Sequence, residues 1–300
     1  MKKNKLGRSE LLVSEIGFGC MSIGTEEDKA IRLLHEALDL GINLLDTADL
    51  YDEGRNEELV GKAIKGRRSE VVLATKVGNR RVPGQEGWAW DASKGYILSA
   101  VKDSLRRLGT DYIDLYQLHG GTLDDPIEET IEAFEQLKRE GVIRYYGISS
   151  IRPNVVREYV SRSNIASVMS QYSILDRRPE EEILPLLEAN GIGLIARGPV
   201  ASGMLTEEGE GKLAKGYLGY EETELRDFRK GIKQAADRPL VETALRYPLA
   251  NPAVACVLAG ASTSEQLRAN VAAASRSPLS SAELADIRSV VPANVYAQHR

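Results

Sequence analysis

The run Val71-Val72-Leu73-Ala74-Thr75-Lys76 opens with four apolar residues and ends on a charge. A strand with one face in water alternates apolar and polar residues, whereas a strand covered on both faces does not. The run therefore reads as a strand of a parallel sheet lying under helices. Leu194-Ile195-Ala196 and Val254-Ala255-Cys256-Val257-Leu258 read the same way. Strand-like runs recur near 14–19, 42–46, 70–76, 112–118, 143–149, 166–171, 193–197 and 254–258.

Segments of helical period separate these runs. Ile31, Leu34 and Leu38 share one face; Ile127, Ile131, Phe134 and Leu137 share another, with Glu128, Glu129, Glu132 and Lys138 turned mostly outward. Parallel strands need crossovers of about this length. The alternation predicts an α/β fold: a closed (β/α)8 TIM barrel over residues 1–300, a single domain, with long loops after strands 3 and 7 at 78–93 and 203–237. An open doubly wound sheet also fits the alternation. No Gly-x-Gly-x-x-Gly follows the first run, which disfavours that version. A last helix is expected at 281–289.

Composition narrows the class. With 300 residues, 42% of them hydrophobic, the chain can bury a large core. A net charge of −5 gives no reason to expect nucleic acid or an anionic membrane as partner. Arg67-Arg68 and Arg80-Arg81 are short and read as solvated faces. Two cysteines, Cys20 and Cys256, make no disulfide scaffold. The histidines His35, His119 and His299 lack metal-ligand spacing, so no metal is expected. No apolar run has the length of a signal core or a membrane span. A cytoplasmic monomer acting on a small molecule is the expectation.

Polar residues stand at the ends of the strand runs. Asp46 ends Ile42-Asn43-Leu44-Leu45-Asp46, Tyr51 follows in the next loop, Lys76 ends the third run, and His119 ends Leu115-Tyr116-Gln117-Leu118-His119. In a barrel these ends form the face that does chemistry. Hydride addition to a carbonyl leaves an alkoxide that needs a proton. Tyr51 is the candidate donor, with Lys76 expected to lower its pKa, Asp46 to pair with Lys76, and neutral His119 to orient the carbonyl oxygen.

The stretch Gly41-Ile42-Asn43-Leu44-Leu45-Asp46-Thr47-Ala48-Asp49-Leu50-Tyr51 resembles the signature of the aldo-keto reductase family. Leu73-Ala74-Thr75-Lys76 and Asp111-Tyr112-Ile113-Asp114-Leu115-Tyr116-Gln117-Leu118-His119 resemble further family motifs, and the likeness is nearest to bacterial members. The resemblance implies the (β/α)8 barrel, reduction of aldehydes or ketones to alcohols, Tyr51 as proton donor, and NADPH as cofactor, with NADH second. It also implies cofactor contacts. Ser149 and Gln171 would hold the nicotinamide carboxamide, and Gly19, Cys20 and Met21 would line its pocket. Gly198, Pro199, Val200, Ser202 and Gly203 would wrap the pyrophosphate. Gly260, Ser262, Thr263, Gln266 and Asn270 would meet the adenosine end. Thr263 with Gln266, or Ser262 with Glu265, fits a capping box there, and a helix N-terminus attracts phosphate.

Two positions depart from the family pattern. Ala261-Ser262 and Gln266 stand where many members carry Lys-Ser and a later Arg around the 2′-phosphate, with Arg268 nearby. Arg197 stands where an aromatic ring commonly stacks on the nicotinamide; its flat guanidinium can stack instead. Trp88 and Trp90 are candidate walls of the substrate pocket. The alternative function is a cofactor-binding regulatory or redox-sensing subunit, like the potassium-channel β subunits that resemble this family.

Overall fold

The computed structural model describes residues 1–82, 84 and 86–300. Eight strands lie where the apolar runs predict them: β1 (Ile16–Gly19), β2 (Leu44–Asp46), β3 (Val72–Val77), β4 (Ile113–Leu118), β5 (Ile143–Ser149), β6 (Ser167–Gln171), β7 (Gly193–Arg197) and β8 (Val254–Ala259). They pair in parallel, in sequence order, and β8 closes on β1 through Val257 opposite Ile16. The helices are α1 (Glu27–Asp39), α2 (Arg55–Ile64), α3 (Lys94–Leu108), α4 (Ile127–Arg139), α5 (Pro153–Arg162), α6 (Ile183–Ala189), α7 (Glu222–Ala235), α8 (Leu240–Leu249), α9 (Ser264–Ser275) and α10 (Ser281–Val290).

Side chains alternate across each strand, so the ring sorts its residues into two sets. Leu44, Val72, Ala74, Leu115, Met169, Ile195, Cys256 and Leu258 fill the barrel interior. Phe18, Leu45, Leu73, Val77, Tyr116 and Leu118 belong to the larger core that includes the helices. The interior set has a lower plug. An antiparallel hairpin, Lys3–Lys5 with Leu12–Ser14, adds Leu6, Leu11 and Val13 to it. Gly7 makes the plug possible. Its φ is +55°, and a Cβ there would lie 2.6 Å from both Ala166 O and Gly193 N, at the lower ends of β6 and β7.

The long connections are more ordered than the sequence suggests. Segment 78–93 contains a small antiparallel pair, Asn79–Arg80 with Ala89–Trp90. Segment 203–237 is not a loop throughout. It contains a 3-10 stretch, Glu207–Lys215, a tight turn pairing Tyr217 with Tyr220, and α7. The signal for α7 was Leu225, Phe228 and Ile232, spaced to share one helix face.

Candidate active site

Counting by twos along each strand gives the site. The interior positions Leu44, Ala74, Leu115, Met169 and Ile195 are followed two residues later by Asp46, Lys76, Gln117, Gln171 and Arg197. In the register Lys76 lies opposite Gln117 and Gln171 opposite Arg197, while Asp46 lies opposite Ala74. The polar ring is thus the next inward layer above the apolar interior, at the carboxyl ends of the strands.

Lys76 is the hub. It is 1% exposed, and its Nζ donates to Asp46 Oδ2 at 2.7 Å, to Thr47 O at 2.8 Å and to Tyr51 Oη at 3.1 Å. Burial works against the ammonium, but Asp46 and the Tyr51 oxygen outweigh it and raise its pKa above the ordinary lysine value. For Tyr51 the sequence expectation holds in part: Lys76 does act to lower its pKa, but the net shift is upward. Burial raises its pKa, and the nearby Lys76 only offsets part of that rise. The phenol is held protonated, not poised to ionise. The loop carrying it is strained: Asp52 and Glu53 both take left-handed φ, +46° and +59°.

His119 meets the Tyr51 ring edge-on, with centroids 5.9 Å apart. Its Nδ1 is buried and has no hydrogen-bond partner among the described residues. Burial first, then Lys76 and Arg197, pulls its pKa down to about 3. The imidazole is neutral, as expected. In the unfolded chain it titrates near pH ~6.5. The unfolded chain therefore binds the extra proton between the two values, so this contribution to stability is complete above pH ~6.5 and is lost as pH falls towards about 3. His119→Gln is expected to flatten the acid limb of the stability curve in urea unfolding. Parallel wild-type and variant curves would refute the buried neutral imidazole.

A groove of about 1500 Å³ runs over this ring. Pockets for single small ligands usually span about 300–1,000 Å³, so the groove has room for a dinucleotide with a substrate. Along it lie Gly19, Met21, Asp46, Tyr51, Lys76, His119, Ser149, Gln171 and Arg197. It continues past Gly198, Pro199, Val200, Ser202 and Gly203 to Gly260, Ser262, Thr263, Gln266 and Asn270, and Trp88 and Trp90 flank it. Gly198 and Gly203 have φ of +67° and +84°, which turn the chain beside the groove. These residues fit a nicotinamide dinucleotide: small residues where diphosphate would pass, and cations in Arg197 and Lys212.

Cys20 is a correction. It opens the 3-10 turn Cys20–Ser22 after β1 and is fully buried in the outer core, in one cluster with Ile16 and Phe18. Gly19 and Met21 line the groove without it. The α9 cap also differs from the expected boxes. Thr263 is the N-cap and accepts from Gln266 N at 3.2 Å, but Gln266 Oε1 reaches back to Ser262 N at 2.9 Å. Arg268 turns away to Glu36, at 2.7 Å.

Sequence reasoning missed Lys212 and Tyr217, both lining the groove from the excursion after β7. Lys212 is exposed, makes no ion pair among the described residues, and lays its Nζ against Gly203. Trp90 turned out to do more than form a wall. Its indole N–H donates to Asp125 at 2.8 Å and its ring lies where Cβ atoms on Gly78 and Gly120 would go. Trp88 remains exposed at the mouth.

Residues 15–292 match the model of the Aldo/keto reductase family. A curated relative from Bacillus subtilis (strain 168), described as an uncharacterized oxidoreductase YqkF, is 58% identical over 306 residues, spanning 100% of both chains. The NADH-specific methylglyoxal reductase of Escherichia coli (strain K12) is 33% identical over 308 residues, 91% of this chain and 93% of that one. Among solved structures, the holo form of aldo-keto reductase AKR11C1 from Bacillus halodurans superposes with a TM-score of 0.95 at 61% identity, covering 100% of this chain and 99% of that chain.

Proposed function

The chain belongs to the aldo/keto reductase family of NAD(P)H-dependent oxidoreductases, and on that premise we propose that it reduces aldehydes or ketones to alcohols with NADPH, Tyr51 giving the proton. The observation that carries this reading is the Lys76 ammonium, which joins the Asp46 carboxylate to the Tyr51 hydroxyl at the floor of the groove. When bound, the dihydronicotinamide supplies the hydride.

The chain's own residues do the rest. His119, neutral, donates from Nε2 to the carbonyl oxygen and orients it. Tyr51 keeps its proton until the oxygen becomes an alkoxide, a far stronger base than a phenolate, and then releases it. Lys76 steadies the phenolate left behind. Ser149 and Gln171 hold the carboxamide, and Arg197 lies against the ring. Exposed Met21 and Trp88 at the mouth support carbonyl substrates with an apolar substituent. The whole chain works as one barrel domain, as a monomer in the cytoplasm; no described helix is long and apolar enough to cross a membrane.

NADPH is favoured over NADH by the α9 N-terminus with Ser262 and Thr263. The preference is expected to be modest, because Arg268 is tied to Glu36. The test follows loss of nicotinamide absorbance with NADPH, then NADH, over a panel of aldehydes and ketones. Turnover supports the reductase; tight NADPH binding with no turnover on any member returns the regulatory-subunit reading.

Arg197 supplies a further expectation. Its positive charge opposes the oxidised, cationic nicotinamide more than the neutral reduced ring. Arg197→Tyr should therefore tighten NADP+ relative to NADPH. An affinity ratio unchanged from wild type would dismiss that bias.

A further inference from the structure

Gln171 ends β6, and its side-chain amide is held at both ends. Nε2 donates to Tyr217 Oη at 2.8 Å, and Oε1 accepts from Arg197 Nη1 at 3.1 Å. A terminal amide has nearly the same shape when flipped, so its partners alone decide which end faces a ligand. A guanidinium only donates, so Arg197 fixes the oxygen. The nitrogen then requires an acceptor, and Tyr217 provides one.

Tyr217 arrives from far along the chain. It begins the tight turn Tyr217–Tyr220, in which Leu218 takes φ +51°. The turn is pinned from behind. The Tyr220 ring meets Phe228 of α7 edge-on at 5.1 Å, and its hydroxyl reaches Pro292 O at 3.5 Å. The excursion after β7 thus ends in a fixed phenol touching the layer of side chains that contains Asp46 and Lys76.

We propose that Tyr217 is a positioning residue for hydride transfer: by accepting from Gln171 it holds that amide in the orientation Arg197 selects, towards the nicotinamide carboxamide, and with it the Arg197 guanidinium beside the ring. The inference rests on the groove being the nicotinamide site. Its effect falls on the nicotinamide half of the cofactor, the half to which Gln171 and Arg197 are assigned.

Tyr217→Phe keeps the ring and removes the acceptor. Calorimetric titration with NADPH and with 2′-phospho-ADP-ribose, which lacks the nicotinamide, separates the two halves. The variant is expected to bind NADPH about three- to tenfold more weakly, to bind the fragment as wild type does, and to transfer hydride more slowly in single turnovers. A second measurement does not depend on that difference. In a Gln171→Ala background, Tyr217→Phe should add nothing, since its route of action is gone. Equal weakening of both ligands, full additivity with Gln171→Ala, or no change at all would overturn the proposal. If wild type binds both ligands and Tyr217→Phe matches it, this inference alone fails. If wild type binds neither, the reductase reading fails with it.

Discussion

In Tyr51→Phe, kcat is expected to fall by about two to four orders of magnitude, the usual contribution of a positioned general acid. NADPH affinity and thermal unfolding should stay close to wild type. The substitution removes one oxygen and keeps the ring that meets His119 edge-on. Lys76 loses one of its three contacts and keeps Asp46 and Thr47 O. The lost rate therefore reports the proton and not a rearranged site. The raised pKa of Tyr51 sets the pH dependence. Reduction by wild type should run level through neutral pH and decline only on the alkaline side, where the phenol finally empties. A variant within tenfold of wild-type kcat would move the donor role to another group.

Lys76→Met is expected to cost about 3–5 kcal/mol of folding free energy, as removal of one member of a buried ion pair does. Both partners are sealed from solvent, at 1% and 4% exposure. Asp46 would lose its hydrogen-bonded counter-ion and keep only the Arg197 charge, with which it makes no contact; burial already raises its pKa, and its Oδ1 has no partner among the described residues. Mildly acidic conditions should restore part of the loss by protonating that carboxyl. Lys76→Met combined with Asp46→Asn should recover most of it at neutral pH. Urea unfolding of the three proteins decides the matter. Equal stability of the single and double variants would show that the pair does not carry this energy.

The barrel was legible because its strands are regular. Short apolar runs marked all eight, several of them nearly continuous, and a period of two then fixes which residues face inward. The same arithmetic turns Asp46, Lys76, Gln171 and Arg197 inward at the carboxyl ends of their strands. Cys20, which the family resemblance had placed in the groove, lies just past β1 in the 3-10 turn Cys20–Ser22 and is buried in the outer core instead. The direction of the Tyr51 shift was not legible, because it depends on how far burial outweighs one ammonium. Lys212 and Tyr217 were hidden for a different reason. They lie in 3-10 and turn segments, where no period relates a residue's number to the direction its side chain takes. The α9 cap was half legible: Thr263 caps as expected, whereas the reach of Gln266 to Ser262 depends on a rotamer.

The ring shut by β8 on β1 imposes an order in time. Asn4 of the lower hairpin donates to Ala255 O of β8 across 251 residues of chain, and Ile16 waits for Val257. Contacts of such separation form late, since the entropy of closing the intervening chain must be met first. During synthesis β1 to β7 emerge with two open edges, and Val254–Ala259 is the last of the eight strands to arrive. Until that last strand docks, the open edges of β1 and β7 must stay unpaired with other chains.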